Sequence, residues 1–319
     1  MTRHPRLIVG LVAVVIAVAL IAWGCRGIVP QPPVTACAPI TSDPKEDGTL
    51  YLVVFENQKY ETIIENKYLP YFRQLAEENS LATNFYANTH PSLGNYFMMT
   101  TGEIITNDLN FNLLIYQDNI ATEMCVNGIS WKGYFENMPQ VGYTKDRAFP
   151  YVKAHNPFAY FADVARNPDQ AKNMVPLEEL EVDLRNDNMP SFAYIIPNQI
   201  NNMHDCPQGG NQCPNDEKLP VADAWLQRYI APILESTSFK KNGLMIITFD
   251  ESFDTDPRHG GGHIVTMLIG PNVKKNYKSE TFYQLPSVLR LICDKLKIPA
   301  MGAGVDAPRM TEFFINGEP

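Results

Sequence analysis

Long runs of Lys or Arg are missing from this chain of 319 residues, whose formal net charge is −9. A nucleic-acid-binding face needs clustered cations, so that class of partner is set aside. An anionic small ligand is not excluded, because a local cation or a bound metal can set the field of a single pocket. No internal repeat of fixed period is visible, and low complexity is confined to one short Pro-rich stretch. Cysteine and histidine are scarce, six of each, so where each one stands carries information. What the chain does have is apolar residue, 45% of the total, enough for one sizeable core.

The first uncharged stretch is N-terminal. Arg3 and Arg6 precede an apolar run from Leu7 to Trp23. At 1.5 Å per residue such a run spans roughly 26 Å, near the hydrocarbon thickness of a bilayer. Whether it is an uncleaved anchor or a signal segment, the basic end stays in the cytoplasm and everything after Arg26 is exported. An uncleaved anchor over residues 1–26 is the preferred reading. A lipid-modified Cys25, which follows Gly24, and a secreted protein are the alternatives. Pro30, Pro32 and Pro33 make residues 27–47 a stiff spacer, and a catalytic domain is expected over 48–319. Export implies an oxidising compartment, in which Cys206 and Cys213, flanking the short loop PQGGNQ, are expected to pair. Cys37, Cys125 and Cys293 join Cys25 in a set with three pairings, left open here, and buried free thiols are as good a reading.

From Gly48 onward buried strands alternate with amphipathic helices. Tyr51–Phe55, Phe192–Ile196, Leu244–Phe249 and Ile264–Ile269 are continuous apolar runs, as expected of strands covered on both faces. Helical spacing marks residues 68–78, 92–101, 226–234 and 285–296. The fold class is therefore α/β, a mainly parallel sheet sandwiched by helices, with an irregular cap or insertion over about 106–189. In such folds the site lies at the carboxyl ends of the strands. Glu56-Asn57, Asn198 and Asp250-Glu251 stand at those ends. One acidic strand end is ordinarily a turn or a cap; two in one sheet can converge on a cation.

Ser92 opens a helix. N-capping alone accounts for a serine there, but free N–H groups at a helix start also favour a phosphate beside a hydroxyl nucleophile. Asn95, one turn on, offers an amide to a phosphoryl oxygen. Of the five histidines after the N-terminal segment, His90, His155, His204 and His263 sit in loops beside other polar candidates, while His259 reads as exposed. Asp223 lies near a helix start, where capping competes with a metal role.

Taken together, FENQKYETII, NTHPSLGNYFMMTTG, GISWKGYFENMP, HNPFAYF, PSFAYIIPNQINNMHDC, VADAWL, ITFDES, GGGHIVTMLIGP and PSVLRLICDKL resemble, in order, the phosphoesterase family of acid phosphatases and bacterial phospholipases C. That family belongs to the alkaline-phosphatase-like superfamily. The resemblance implies hydrolysis of a phosphate ester through a phosphoenzyme, with Ser92 as nucleophile. It implies a divalent metal ion held by Glu56, Asn57, Asp250 and Glu251 and touched by Ser92, with Asp205 and Asp223 as further metal candidates. Oxygen ligands suit Ca, Mg or Mn, and added histidines admit Zn. His90, Asn95 and His155 are expected to bind substrate, and His204 and His263 to move protons. Two departures stand out: Gly94 where the family usually has proline, and Leu285 where a histidine is common. A phosphate monoester is the expected substrate. A phospholipase C acting on lipid phosphodiesters is the near rival, and a non-catalytic anion- or partner-binding module the distant one.

Overall fold

A computed structural model describes residues 35–319. The N-terminal apolar run and Cys25 lie outside the described residues. Among the described residues no helix is long and apolar enough to cross a membrane.

The core is an eight-stranded sheet. Its strands are β1 (Leu50–Phe55), β2 (Ser80–Ala82), β3 (Trp131–Phe135), β4 (Met174–Pro176), β5 (Phe192–Ile196), β6 (Leu244–Phe249), β7 (Thr266–Ile269) and β8 (Tyr277–Ser279). They lie in the order β4-β3-β5-β1-β6-β7-β2-β8. Every pairing is parallel except the two made by β7, which runs against β6 and β2. The long apolar runs take the centre because every residue of β1, β5 and β6 is buried, which only a strand covered on both faces allows.

Two helix pairs supply the cover. On one side Phe55 of β1 meets Phe72 of α1 (Pro70–Glu78) and Trp225 of α5 (Asn215–Glu235) edge-on, at 6.0 and 5.8 Å between ring centroids. A second pair, α2 (Leu93–Thr101) and α6 (Leu285–Leu296), packs together against the sheet. Nothing in α2 is exposed, so it is an internal helix rather than a surface one. The expected cap region is more regular than its sequence suggests. Besides α3 (Ile120–Val126) and α4 (Glu178–Arg185), it delivers β3 and β4 to one edge of the sheet. Lys132, the second residue of β3, hides that strand from a pattern search, and its ammonium is held by Asp183 of α4 at 2.5 Å.

The compact unit also begins earlier than Gly48. Residues 35–47 are stapled to α3 and the turn after it by the Cys37–Cys125 disulfide and by backbone bonds from Ala38 to Cys125 and from Thr41 to Gly128. Cys206 pairs with Cys213, and Cys293 is a buried free thiol.

Gly94, the departure from the usual proline, has a packing reason: a side chain there would collide with Asn107 and Thr89, which fold over the start of α2. Gly102 ends α2 in the left-handed region, φ +79°, with Met301 O 2.6 Å from where a Cβ would stand. Gly102→Ala should therefore lower the free energy of unfolding by about 2 kcal/mol, read from denaturant melts.

Candidate active site

The register of the two central strands builds the site. Phe55 of β1 lies beside Phe249 of β6, so the residues that follow them, Glu56 and Asp250-Glu251, emerge side by side at the carboxyl edge. Asp250 N–H donates to Phe55 O at 3.0 Å, and Asn57, turned to φ 51°, donates its N–H to Asp250 Oδ1 at 3.4 Å. All three carboxylates are at most 1% exposed.

Ser92 reaches into this group. Its backbone is helical and its hydroxyl makes no capping bond. Oγ instead donates to Glu251 Oε1 at 2.9 Å and lies 3.3 Å from Glu56 Oε2. Capping, the structural account of this serine, is thus not what its side chain does. Glu56 Oε1 accepts from the hydroxyl of buried Tyr96 at 2.7 Å and from His155 Nε2 at 3.0 Å. Burial pushes Glu56 up to about 7, and the neighbouring Glu251 adds to the rise. Burial, then Glu56 and Glu251, push Asp250 well above the usual carboxylate range.

Three carboxylates packed this way need positive charge, and two oxygens point to how it arrives. Asp250 Oδ2 and Asn57 Oδ1 are buried with no donor among the described residues. Unpartnered buried oxygens beside crowded carboxylates form the hard-oxygen donor set that a divalent cation takes. A second cluster, His90, Glu251 and Asp254, has ligand atoms within 4.8 Å of one another, yet its histidine is already committed. His90 Nδ1 contacts Glu251 Oε2 at 2.5 Å and Nε2 contacts Asp256 O at 3.1 Å. Both partners are acceptors, so both ring nitrogens carry protons. The Glu251 bond raises His90 to about 9, leaving it cationic, no ligand for a metal and not aimed at a substrate.

Substrate space opens on the other side of Ser92. A cleft of about 540 Å³ is lined by Ser92, Arg147, Lys153, His155, His204 and Gln199, among others. His155 is fully buried, its pKa held well below the ordinary value by that burial. Asn202 Nδ2 lies 3.4 Å from its Nδ1, which suits a neutral ring with the proton on Nε2. His204 Nδ1 pairs with Asp205 Oδ1 at 2.7 Å, and Arg147 stands 3.7 Å from Asp205 Oδ2. A carboxylate on Nδ1 fixes the tautomer and leaves Nε2 for proton exchange, the orientation general acid–base work requires.

Four further sequence expectations change. Asn95 does not face the cleft: its Oδ1 accepts from the backbone of Asn88 and Thr89, and its Nδ2 donates to Thr89 O, so it fixes the loop before Ser92. His263 uses Nε2 on Thr83 O at 2.9 Å and Nδ1 on Glu61 at 3.4 Å, and stacks on Tyr60; it braces a loop instead of moving a proton. Asp223 accepts from the N–H groups of Tyr71 and Phe72, capping the start of α1 from α5. Asp205 orients His204 and joins no carboxylate. Sequence reasoning missed Tyr96, Arg147 and Lys153. Tyr96 was findable, since it sits four residues after Ser92 on one helix face. Arg147 and Lys153 lie in irregular chain with no periodic signal.

With this geometry in place, likeness to other proteins can be weighed. The phosphoesterase family pattern matches residues 55–299. The chain belongs to that family. It is similar to a probable acid phosphatase of Kluyveromyces lactis, 28% identical over 278 residues, which are 83% of this chain and 62% of the relative. It thus spans about three fifths of that relative's length. It is similar end to end to a phosphatidylinositol-3-phosphatase of Mycobacterium tuberculosis, 27% identical over 310 residues, 95% of this chain and 92% of the relative. In fold it resembles an alkaline phosphatase superfamily protein of Vibrio parahaemolyticus, TM-score 0.56 at 13% identity over 83% of this chain and 71% of that one.

Two outcomes follow. Asp223→Ala should cost about 1 kcal/mol of stability, the usual loss for a helix cap, and leave any metal response of the melting curve unchanged. In metal-free protein Glu56 titrates higher folded than unfolded, so its stabilisation is complete below about 4.5 and lost as pH rises through about 7. Metal-free protein should melt lower at pH 8 than at pH 5, and a bound divalent cation should raise the pH 8 value most, as scanning calorimetry can read.

Proposed function

We propose that this protein is an exported hydrolase of phosphate monoesters that works through a phosphoserine on Ser92 and depends on a divalent metal ion. The observation that carries the reading is the Ser92 hydroxyl, free of any capping bond and held between Glu56 and Glu251 at the mouth of a cleft lined by Arg147, Lys153 and His204. The family match and the acid phosphatase relatives support it.

Glu56, Asn57, Asp250 and Glu251, with Ser92, are the residues that would hold the ion. Bound there, a divalent cation supplies positive charge against the nucleophile and the phosphoryl oxygens. The chain's own groups do the rest. Arg147 and Lys153 draw the anionic ester into the cleft and hold its equatorial oxygens. Ser92 Oγ, its proton directed at Glu251, attacks phosphorus. The bond to the leaving oxygen breaks, and His204, oriented by Asp205, protonates the departing alcohol. In the second half His204 takes a proton from water, which attacks phosphorus; the Oγ–P bond breaks, phosphate leaves, and Glu251 returns the proton to Ser92 Oγ. Tyr96 and His155 hold Glu56 in place by donating to the same oxygen. The two disulfides among the described residues suit an oxidising, exported setting, with the N-terminal run as signal or anchor.

The test is turnover of an aryl phosphate by the full chain and by Ser92→Ala. The variant should lose at least ~10³ in rate. Chelation should abolish turnover, and one among calcium, magnesium, manganese and zinc should restore it. A choline phosphodiester cleaved faster than the aryl monoester would move the reading to a phospholipase C. Tight phosphate binding with no turnover under any metal would move it to a binding module.

A further inference from the structure

The connection from β5 to α5, residues 197–214, carries His204 and holds neither helix nor strand. Its first half is tied to the edge of the sheet. His204 N–H donates to Asn202 Oδ1 at 2.9 Å, Asp205 N–H donates to Gln199 O at 2.7 Å, and Met203 O accepts from the amide of buried Gln58 at 3.1 Å. The second half is built differently. Residues 207–212 are exposed, and Gly209 and Gly210 take φ +98° and +73° with open space around them. The backbone bonds there run within the loop itself, from Cys206 N–H to Gly210 O and from Gly209 N–H to Cys206 O. The Cys206–Cys213 disulfide closes this half into a ring. An exposed ring that starts two residues after an imidazole samples local openings that displace it, unless something ties the ring down.

One side chain of α5 makes that tie. Lys218 Nζ donates to His204 O at 3.1 Å and to Asn211 O at 3.3 Å, so a single ammonium joins the two halves of the connection. Lys218 is only 4% exposed, and its hydrogen-bond partners are carbonyls rather than a carboxylate. Burial lowers its pKa, and Asp205 opposes that fall. A buried charge is expensive, and a packing role alone would be served as well by an apolar side chain of the same length. What the ammonium adds is a grip on the backbone of the residue whose ring faces the cleft. His204 lines both the cleft that holds Ser92 and a second pocket of about 200 Å³ shared with Asn57, Asn211 and Lys218. With space on two sides, the ring is placed by its own backbone and by Asp205.

We propose that Lys218 is a positioning residue for proton transfer: by bridging His204 O and Asn211 O, its ammonium holds the His204–Asp205 pair in line with the oxygen that leaves phosphorus. This rests on the hydrolase reading and adds a residue to it. As the bond from phosphorus to the leaving oxygen breaks, its electron pair passes to that oxygen, and His204 Nε2 gives the oxygen a proton. An alkoxide needs that proton, whereas the anion of an acidic phenol departs without it. A fault in the placement of His204 therefore shows in alkyl esters first.

The experiment uses the full chain with its activating divalent metal and compares kcat/KM on glycerol phosphate and on dinitrophenyl phosphate. That parameter reports transition-state stabilisation relative to free enzyme and ester. Lys218→Met keeps the length of the side chain and removes the ammonium. Its loss on glycerol phosphate should be roughly 10–100-fold, and should exceed its loss on dinitrophenyl phosphate by about tenfold or more. Equal losses on the two esters, or loss on neither, would overturn the proposal and leave Lys218 a residue of stability alone. Added to His204→Ala, Lys218→Met should lower turnover of glycerol phosphate by less than about threefold further, because the lysine acts through the histidine. A second loss as large as the first overturns it. Another measurement needs no turnover. The Nδ1 proton that His204 shares with Asp205 is identified in the downfield proton spectrum of wild type by its absence from His204→Ala. It should broaden or vanish in Lys218→Met, and an unmoved resonance overturns the proposal. If wild type hydrolyses neither ester, the hydrolase reading has failed, and this resonance still decides whether Lys218 places the ring.

Discussion

Like charge confined in low dielectric is the constraint around which this molecule is arranged. Glu56, Asp250 and Glu251 are packed against one another at the ends of adjacent parallel strands, with almost no water on any of them. Carboxylates in such surroundings either bind protons or gather cations. The protein supplies some of that compensation itself: a protonated His90 on Glu251, a tyrosine and an imidazole N–H on Glu56, a serine hydroxyl between Glu56 and Glu251. Asp250 Oδ2 and Asn57 Oδ1 are left over. The fold holds this arrangement because β1 and β6 are locked in register by six paired residues and covered on both faces. Sliding either strand by one residue would turn its acidic end away.

The same constraint sorts the histidines. His90 and His155 both touch a carboxylate of the cluster, yet their states are opposite. His90 meets acceptors at both nitrogens and becomes a fixed cation, raised to about 9 by Glu251. His155 is fully buried, takes an amide donor at Nδ1 and is held neutral. His204 differs from both because its carboxylate partner, Asp205, lies outside the cluster, which leaves its second nitrogen facing the cleft. One residue type thus stands as a counter-ion, a neutral donor and a carboxylate-oriented ring at the cleft, according to which oxygens surround it.

Much of this was legible in the sequence where burial leaves a mark. Apolar runs ending in Glu56-Asn57 and Asp250-Glu251 located the strands and the edge, because a strand covered on both faces has a continuous pattern and stops where the polar chemistry starts. The pattern failed where tertiary contacts take over from periodicity. β3 was missed because Lys132 interrupts it, and Asp183, which neutralises that lysine, lies on a helix far along the chain. Asp223 and His263 carried the right chemistry for a site but spend it on the backbone of α1 and of Thr83. Residue type gives capacity, and only the fold decides the partner. The pairing of Cys37 with Cys125 was open for the same reason: sequence separation of 88 residues says nothing about proximity.

The division of labour between sheet and loops follows from these facts. The carboxylate cluster depends on strand register and tolerates little motion, so it sits on the most rigid part of the molecule. The cationic residues of the cleft come from the irregular chain around 141–155, where Arg147 and Lys153 are positioned by loop contacts such as Lys153 with Asn112 and the Tyr160 ring. Loops accept sequence change far more readily than a register-locked strand pair. Sequence change around the cleft is therefore expected to run through these loops, while Ser92, Glu56 and Asp250 stay fixed by the strand register and the helix start. Gly94 illustrates the coupling: without a side chain there, Asn107 and Thr89 close onto the start of α2, and the loop that carries Asn107 is seated directly on the helix that begins at Ser92.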